Sequence, residues 1–129
     1  MKFTSTPNAP AAIGPYSQAV AVHGFLYASG QIPLDPATGE IVGTTIEEQA
    51  HRCCKNIRGI LEANGLTFQN VVKTTCFLAN MEDFAAFNGV YAQYFVSKPA
   101  RSCVAVKEVP KKVLCEIEII AAFPECCEK

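Results

Sequence analysis

Residues 99–119 read PARSCVAVKEVPKKVLCEIEI. Arg101 to Val106 is a short β-prone run, and Lys107 to Lys112 is a charged turn containing Pro110. Val113 to Ala122 alternates as a second strand. Side chains alternate across a sheet, so Cys115, Ile117 and Ile119 point one way, and Glu116 and Glu118 the other. Strand, turn and strand in succession predict neighbours that bring Arg101 and Glu116 towards one another. A fixed guanidinium grips a carboxylate with two parallel hydrogen bonds. A nearby Glu holds or activates a water. The same residues also fit a solvated strand face with a weak ion pair.

Upstream, residues 70–78 form a β-branched and aromatic run with Val71, Val72, Thr74, Thr75 and Phe77. Asn80 caps the next segment, with Glu82 and Asp83 in the first turn of a helix whose apolar face is Phe84, Phe87, Tyr91, Tyr94 and Phe95. Asn88 lies inside that helix. A longer helix carries Ile46, Ala50, Cys53, Cys54, Ile57, Ile60 and Leu61 in one stripe. Thr44 or Thr45 with Glu47 or Glu48 makes its capping box, and Asn64-Gly65 stops it. His51 sits beside the stripe and reads as surface.

Nearer the start, Gln18 to Val22 and Phe25 to Ser29 are β-prone, with His23-Gly24 as a two-residue hairpin turn. Ser29-Gly30 ends the second strand. Glycine there permits close approach by another group, and Ser offers a hydroxyl and an N–H. Pro15 stiffens Ile13-Gly14-Pro15-Tyr16, so Tyr16 ends a rigid loop. A short edge strand fits Lys2 to Ser5. The order β-β-α-β-α-β-β gives an α+β sandwich, one sheet of about six strands with two helices on one face. The other face keeps Val20, Val22, Val104 and Val106, and an uncovered apolar face predicts self-association.

The 129 residues suit a single domain, half of them hydrophobic, with net charge −1. Near-neutral charge argues against a nucleic-acid binder. No run is long and apolar enough for a membrane span, and the first residues lack a secretory core. The seven cysteines are odd in number. With no secretion signal, they read as reduced cytosolic thiols, so a cytoplasmic protein is expected. Adjacent Cys53-Cys54 and two scattered His make a poor metal site, and none is expected. Cys126-Cys127 reads as a redox-active pair or a frayed tail.

Several motifs resemble one family. Pro99-Ala-Arg-Ser-Cys-Val, Lys107-x-Val109 and Ile117-Glu-Ile119 are similar to the signature of the RidA family, also called YjgF or endoribonuclease L-PSP. Asn8-Ala-Pro-Ala-Ala-Ile-Gly-Pro-Tyr-Ser-Gln18 and Tyr27-Ala-Ser-Gly-Gln-Ile-Pro33 also resemble that family. The resemblance implies a chorismate-mutase-like homotrimer whose sheets pack into a central barrel, with pockets at the subunit interfaces. It implies hydrolysis of enamines and imines, such as 2-aminoacrylate and 2-iminopropanoate, to 2-keto acids and ammonia. Those substrates are released by pyridoxal-phosphate-dependent dehydratases.

By the same resemblance Arg101 holds the substrate carboxylate and Glu116 positions water. Tyr16, Ser29, Gly30, Asn88 and Cys103 match substrate-binding positions, with Cys103 contributing backbone and a packed thiol. Glu118 is taken as structural. No metal and no cofactor is implied, because the imine is already activated. One departure stands out: between Phe95 and Pro99 there is only Val96-Ser97-Lys98, where many members have a longer loop ending in an aromatic. Two other functions remain open: an endoribonuclease or translation inhibitor, and a non-catalytic ligand binder or thiol-dependent holdase.

Overall fold

The hairpin signal at His23-Gly24 is realised directly. In the computed structural model, which describes residues 1–125, both turn residues have positive φ, 52° and 83°, and Val22 pairs with Phe25 across them. The strands are β1 (Lys2–Thr4), β2 (Ala19–Val22), β3 (Phe25–Ala28), β4 (Val71–Leu78), β5 (Ala100–Ala105) and β6 (Cys115–Ala122). The helices are α1 (Ile46–Ala63) and α2 (Phe84–Tyr94). The strands form one six-stranded sheet in the order β1-β2-β3-β6-β4-β5. Only the β4–β5 pair is parallel. The α+β class with its two helices is as expected, and β1 is the short edge strand read near the start. The pair Cys126-Cys127 lies outside the described residues.

Helix α1 begins where its capping box places it. Thr45 Oγ1 accepts from Glu48 N at 3.2 Å, and Glu48 Oε1 accepts from Thr45 N at 3.2 Å and Thr44 N at 2.9 Å. The backbone N–H of Thr44, then that of Thr45, holds the Glu48 carboxyl below its usual range. The stripe Ala50, Cys53, Cys54, Ile57, Ile60 and Leu61 is fully buried against Leu26, Leu78, Cys115 and Ile117 of the sheet. Each such Ile or Leu contributes roughly 1.5–3 kcal/mol. His51 is half-buried rather than surface. Its Nδ1 lies 2.8 Å from Tyr94 Oη, because α2 packs against that flank of α1. Asn80 caps a short 3-10 turn at Met81–Asp83, which runs straight into α2.

Asn56 is a buried polar residue that periodicity does not reveal. Its Nδ2 donates to Ile32 O at 3.2 Å and Leu34 O at 3.0 Å, and its Oδ1 accepts from Arg52 Nε and Nη2. It staples the loop after β3 to α1. Asn56→Ala strands two inward carbonyls, so we expect a loss of about 2–3 kcal/mol. Differential scanning calorimetry should show a midpoint lower by roughly 10 °C. An unchanged midpoint would remove the staple argument.

The stretch 99–119 departs from expectation. β5 and β6 are not neighbours, because β4 lies between them. The segment β4-α2-β5 is a crossover unit, and its parallel pairing sets β5 at the outer edge of the sheet. Arg101 is in register with Thr74, which pairs with Ile119; Glu116 pairs with Phe77, which is opposite Val104. Partners in register share a face. Arg101 therefore lies on the helix-covered face with buried Thr74 and Ile119. Glu116 lies on the opposite, open face with Glu118, in line with the alternation read in residues 115–119. That open face leaves Phe3, Tyr27 and Val104 exposed at 60%, 45% and 47%.

No helix among the described residues is long and apolar enough to cross a membrane.

Candidate active site

Two clefts carry the residues singled out in the sequence. The first, of about 460 Å³, is lined by Tyr16, Ser29, Gly30, Lys111 and Glu116 together with Ile13, Ile32 and Leu34. Its floor is built by hydrogen bonds. The Gln18 carboxamide accepts from Thr6 N at 2.7 Å and donates to the carbonyls of Thr6, Ala9 and Pro10. Those bonds shape the loop that presents Tyr16, whose N–H turns back to Gly14 O at 2.9 Å. Gln31 N donates to Ile117 O at 2.8 Å and Ile117 N to Gln31 O at 3.1 Å, which fastens residues 29–31 beside Glu116.

Gly30 is required by a close approach. A Cβ there would collide with Glu116 Oε2, and would lie 2.8 Å from its Cδ. The glycine is thus a socket for the carboxylate. Ser29 differs from expectation. Its Oγ donates to Ser17 O at 2.6 Å and its N–H to Gln18 O at 2.9 Å, so both donors hold the loop in place. Glu116 is half-buried. Burial, and then the like charge of Glu118, push its carboxyl above the usual range. A carboxyl raised in this way is, once ionised, a stronger proton acceptor than an exposed one.

The second cleft, of about 540 Å³, is lined by Asn88, Tyr91, Phe95, Lys98, Pro99 and Arg101. Arg101 Nη1 donates to Asn88 Oδ1 at 2.7 Å. The guanidinium carbon lies 4.7 Å from the Tyr91 ring centroid and 5.4 Å from that of Phe84. Tyr91 is itself fixed, by a 2.7 Å hydrogen bond to Thr74 Oγ1 and by stacking on Phe95 at 4.3 Å. Burial raises its phenol. Among the described residues no carboxylate pairs with Arg101, so its remaining N–H donors stay available to an anion. Tyr91 and Phe84 escaped the sequence reading as site residues. Their spacing with Asn88, on one helix face at 84, 88 and 91, was the available signal.

Cys103 follows Arg101 by two residues on the same strand and is half-buried against Cys76. Burial raises its thiol, which fits a packed role. It lies beside Arg101 rather than in either cleft. Cys53 and Cys115 are buried with Sγ atoms 3.8 Å apart. Among the described residues no group of His, Cys, Asp and Glu is arranged to hold a metal.

The chain therefore gathers Tyr16, Ser29, Gly30 and Glu116 in one place, and Asn88 and Arg101, with Cys103 alongside, in another. It does not bring the two sets together, because they sit on opposite faces of the sheet with β4 between them.

Comparison with known proteins gives the family of the chain. The family model described as endoribonuclease L-PSP matches residues 6–123. A Lactococcus lactis protein named as a regulator, AldR, is 56% identical over 122 residues, covering 94% of this chain and 97% of that protein. The 2-iminobutanoate/2-iminopropanoate deaminase of Bos taurus is 50% identical over 121 residues, covering 93% of this chain and 88% of that one. The crystal structure of the Escherichia coli YjgF gene product superimposes with a TM-score of 0.91 at 43% identity, covering 96% of this chain and all of that one. A match spanning nearly the whole chain, in sequence and in fold, makes this protein a member of the endoribonuclease L-PSP family, the RidA/YjgF family that its motifs resemble.

Proposed function

We propose that the protein hydrolyses 2-imino acids and their enamine tautomers to 2-keto acids and ammonia, in a site completed by two copies of the chain. The observation that carries this reading is the split constellation: a stacked, unpaired Arg101 in one cleft and a desolvated Glu116 in the other. A substrate of a few carbons cannot reach both within one protomer. The exposed apolar face that bears Glu116 supplies the reason to associate. A homotrimer, with its clefts paired at three interfaces, satisfies both. The bovine relative's name gives the same reaction.

In this reading the substrate carboxylate lies on Arg101, held in orientation by Asn88 and Tyr91. Glu116 holds a water against the imine carbon. The water oxygen bonds to that carbon as the C=N π pair moves to nitrogen, and Glu116 relays the water proton to the nitrogen. The hydroxyl proton of the tetrahedral carbinolamine then passes through Glu116 to the nitrogen, the C–N bond breaks as the C=O forms, and the keto acid and ammonia leave. Atoms balance as imine plus water giving ketone plus ammonia, with no oxidation. Ser29 and Gly30 shape the wall behind Glu116.

The test is decay of 2-iminopropanoate, generated by an amino-acid oxidase in competition with a trapping amine. Light scattering alongside should give three times the 13.9 kDa of one chain. Mixing refolded Arg101→Ala and Glu116→Gln chains separates the shared site from an internal one. Random mixing in equal amounts should restore about a quarter of all sites, one in each hybrid trimer. Absence of recovery in mixed, folded assemblies would place both residues in one protomer and end the shared-site reading.

Gly30→Ala forces the Glu116 carboxylate out of its socket. We expect kcat/KM to fall about 10²-fold, since displacement of a catalytic group by an ångström has effects of that order. Circular dichroism should show the fold retained.

A further inference from the structure

The turn before β6 holds a strained lysine that lines the Glu116 cleft. Lys111 and Lys112 have φ of 58° and 57°, in the left-handed region that L side chains rarely adopt. The turn is clamped from both ends. Val109 and Val113 are each buried, Lys112 N donates to Val109 O at 2.9 Å, and Val113 N lies 3.4 Å from Pro110 O. Strain maintained by flanking anchors is concentrated at functional positions. Here its product is specific: Lys111 lines the cavity that holds Glu116.

Three of the other polar side chains of that cavity are committed, and the exposed Tyr16 phenol is a neutral group. The Gln18 carboxamide and the Ser29 hydroxyl hold backbone. Gln31 Nε2 turns to Ser29 O at 3.3 Å. Among the described residues Lys111 has no hydrogen bond or ion pair. Apart from Tyr16, the remaining wall is apolar, with Pro10, Ala11, Ile13, Ile32 and Leu34. A cavity of about 460 Å³ is far larger than a methyl side chain needs. Its lining combines one carboxylate, an aliphatic wall, and one cation without a partner among the described residues.

We propose that Lys111 is a specificity-determining residue that receives a second carboxylate, at the end of the substrate's side chain. This rests on the deaminase reading above. With the α-carboxylate on Arg101 and the imine carbon at Glu116, the side chain runs along the apolar wall and ends at the Lys111 ammonium. The favoured substrates are imino acids with a short aliphatic stem and a terminal carboxylate, of which 2-iminoglutarate is the test compound. Simple aliphatic imines enter the same cavity without that contact.

Wild type, Lys111→Met and Lys111→Gly are compared on 2-iminoglutarate and 2-imino-4-methylpentanoate, each generated by an amino-acid oxidase. Methionine keeps the stem without the charge, and glycine also relaxes the left-handed backbone. The ratio of kcat/KM for the dicarboxylate to that for the aliphatic imine should fall about tenfold in both variants. The glycine variant should also melt at a higher temperature, which separates the strain from the recognition. A Lys111→Met ratio within about twofold of wild type would overturn the assignment. Calorimetric titration with the product analogues 2-oxoglutarate and 4-methyl-2-oxopentanoate reads the same preference without turnover. Lys111-dependent preference for 2-oxoglutarate in a protein that turns over no imine would sustain the anion site and remove the deaminase reading. Turnover of the aliphatic imine with no such preference in either assay would remove the Lys111 assignment alone.

Discussion

Arg101→Ala should lower kcat/KM for 2-iminopropanoate by about 10³-fold, the scale set by loss of a charge-assisted, bidentate anion contact. The guanidinium is fixed before any ligand arrives, by the 2.7 Å bond to Asn88 and the faces of Tyr91 and Phe84. Its entropy of ordering is already spent, so binding gains the full contact. Arg101→Lys should not restore activity. A point charge on a flexible stem neither stacks on Tyr91 nor presents two parallel donors. The fold should survive both changes, since a half-buried cation with no anionic partner adds little to stability. Steady-state kinetics with matched circular dichroism spectra decide. An Arg101→Ala enzyme within about threefold of wild type would remove the carboxylate clamp from the mechanism.

Glu116→Gln should show two effects of opposite benefit. Activity falls by about 10²–10⁴-fold, the usual range for loss of a positioned acid or base. Stability at neutral pH rises. Burial, reinforced by Glu118, raises the Glu116 carboxyl in the folded state. The stabilisation tied to its protonated form is therefore complete below the ordinary carboxyl value and is lost as pH rises through the raised one. At neutral pH the ionised group is a desolvated charge with no partner among the described residues, and glutamine removes it. Denaturant titrations should show Glu116→Gln more stable than wild type at neutral pH. The gap should close in acid, at roughly pH 4 and below. Wild-type activity should fall on acidification through a value above the ordinary carboxylate range. A variant that is inactive and also less stable at neutral pH would contradict the desolvation argument.

The two levels of description diverge at the stretch 99–119. The alternation of Cys115 to Ile119 is local, and it survives intact: Glu116 and Glu118 do share a face. The pairing of β5 with β6 is not local. The segment 107–114 is too long to force a hairpin, and the crossover through α2 offered β5 a parallel partner in β4. A single inserted strand moved Arg101 and Glu116 apart, and the register put them on opposite faces. Ser29 shows the same limit on a smaller scale. Its type and place were legible, but the partners that consume its donors come from residues 17 and 18, just ahead of the neighbouring strand β2. Asn56 and Lys111 were passed over because their roles depend on a buried loop and a backbone angle, neither of which leaves a period in the chain.

The sequence by itself determined the element order, the capped helix from Ile46, the hairpin at His23-Gly24, the family, and the residue types of the site. These follow from periodicities, caps and turns that act over a few residues, and from motifs that lie in linear order. Only the tertiary structure decided which strand separates β5 from β6, which face each catalytic candidate occupies, and which polar groups are already spent. Those are outcomes of packing between distant segments, where one residue of register reverses a side chain and no local signal records the choice.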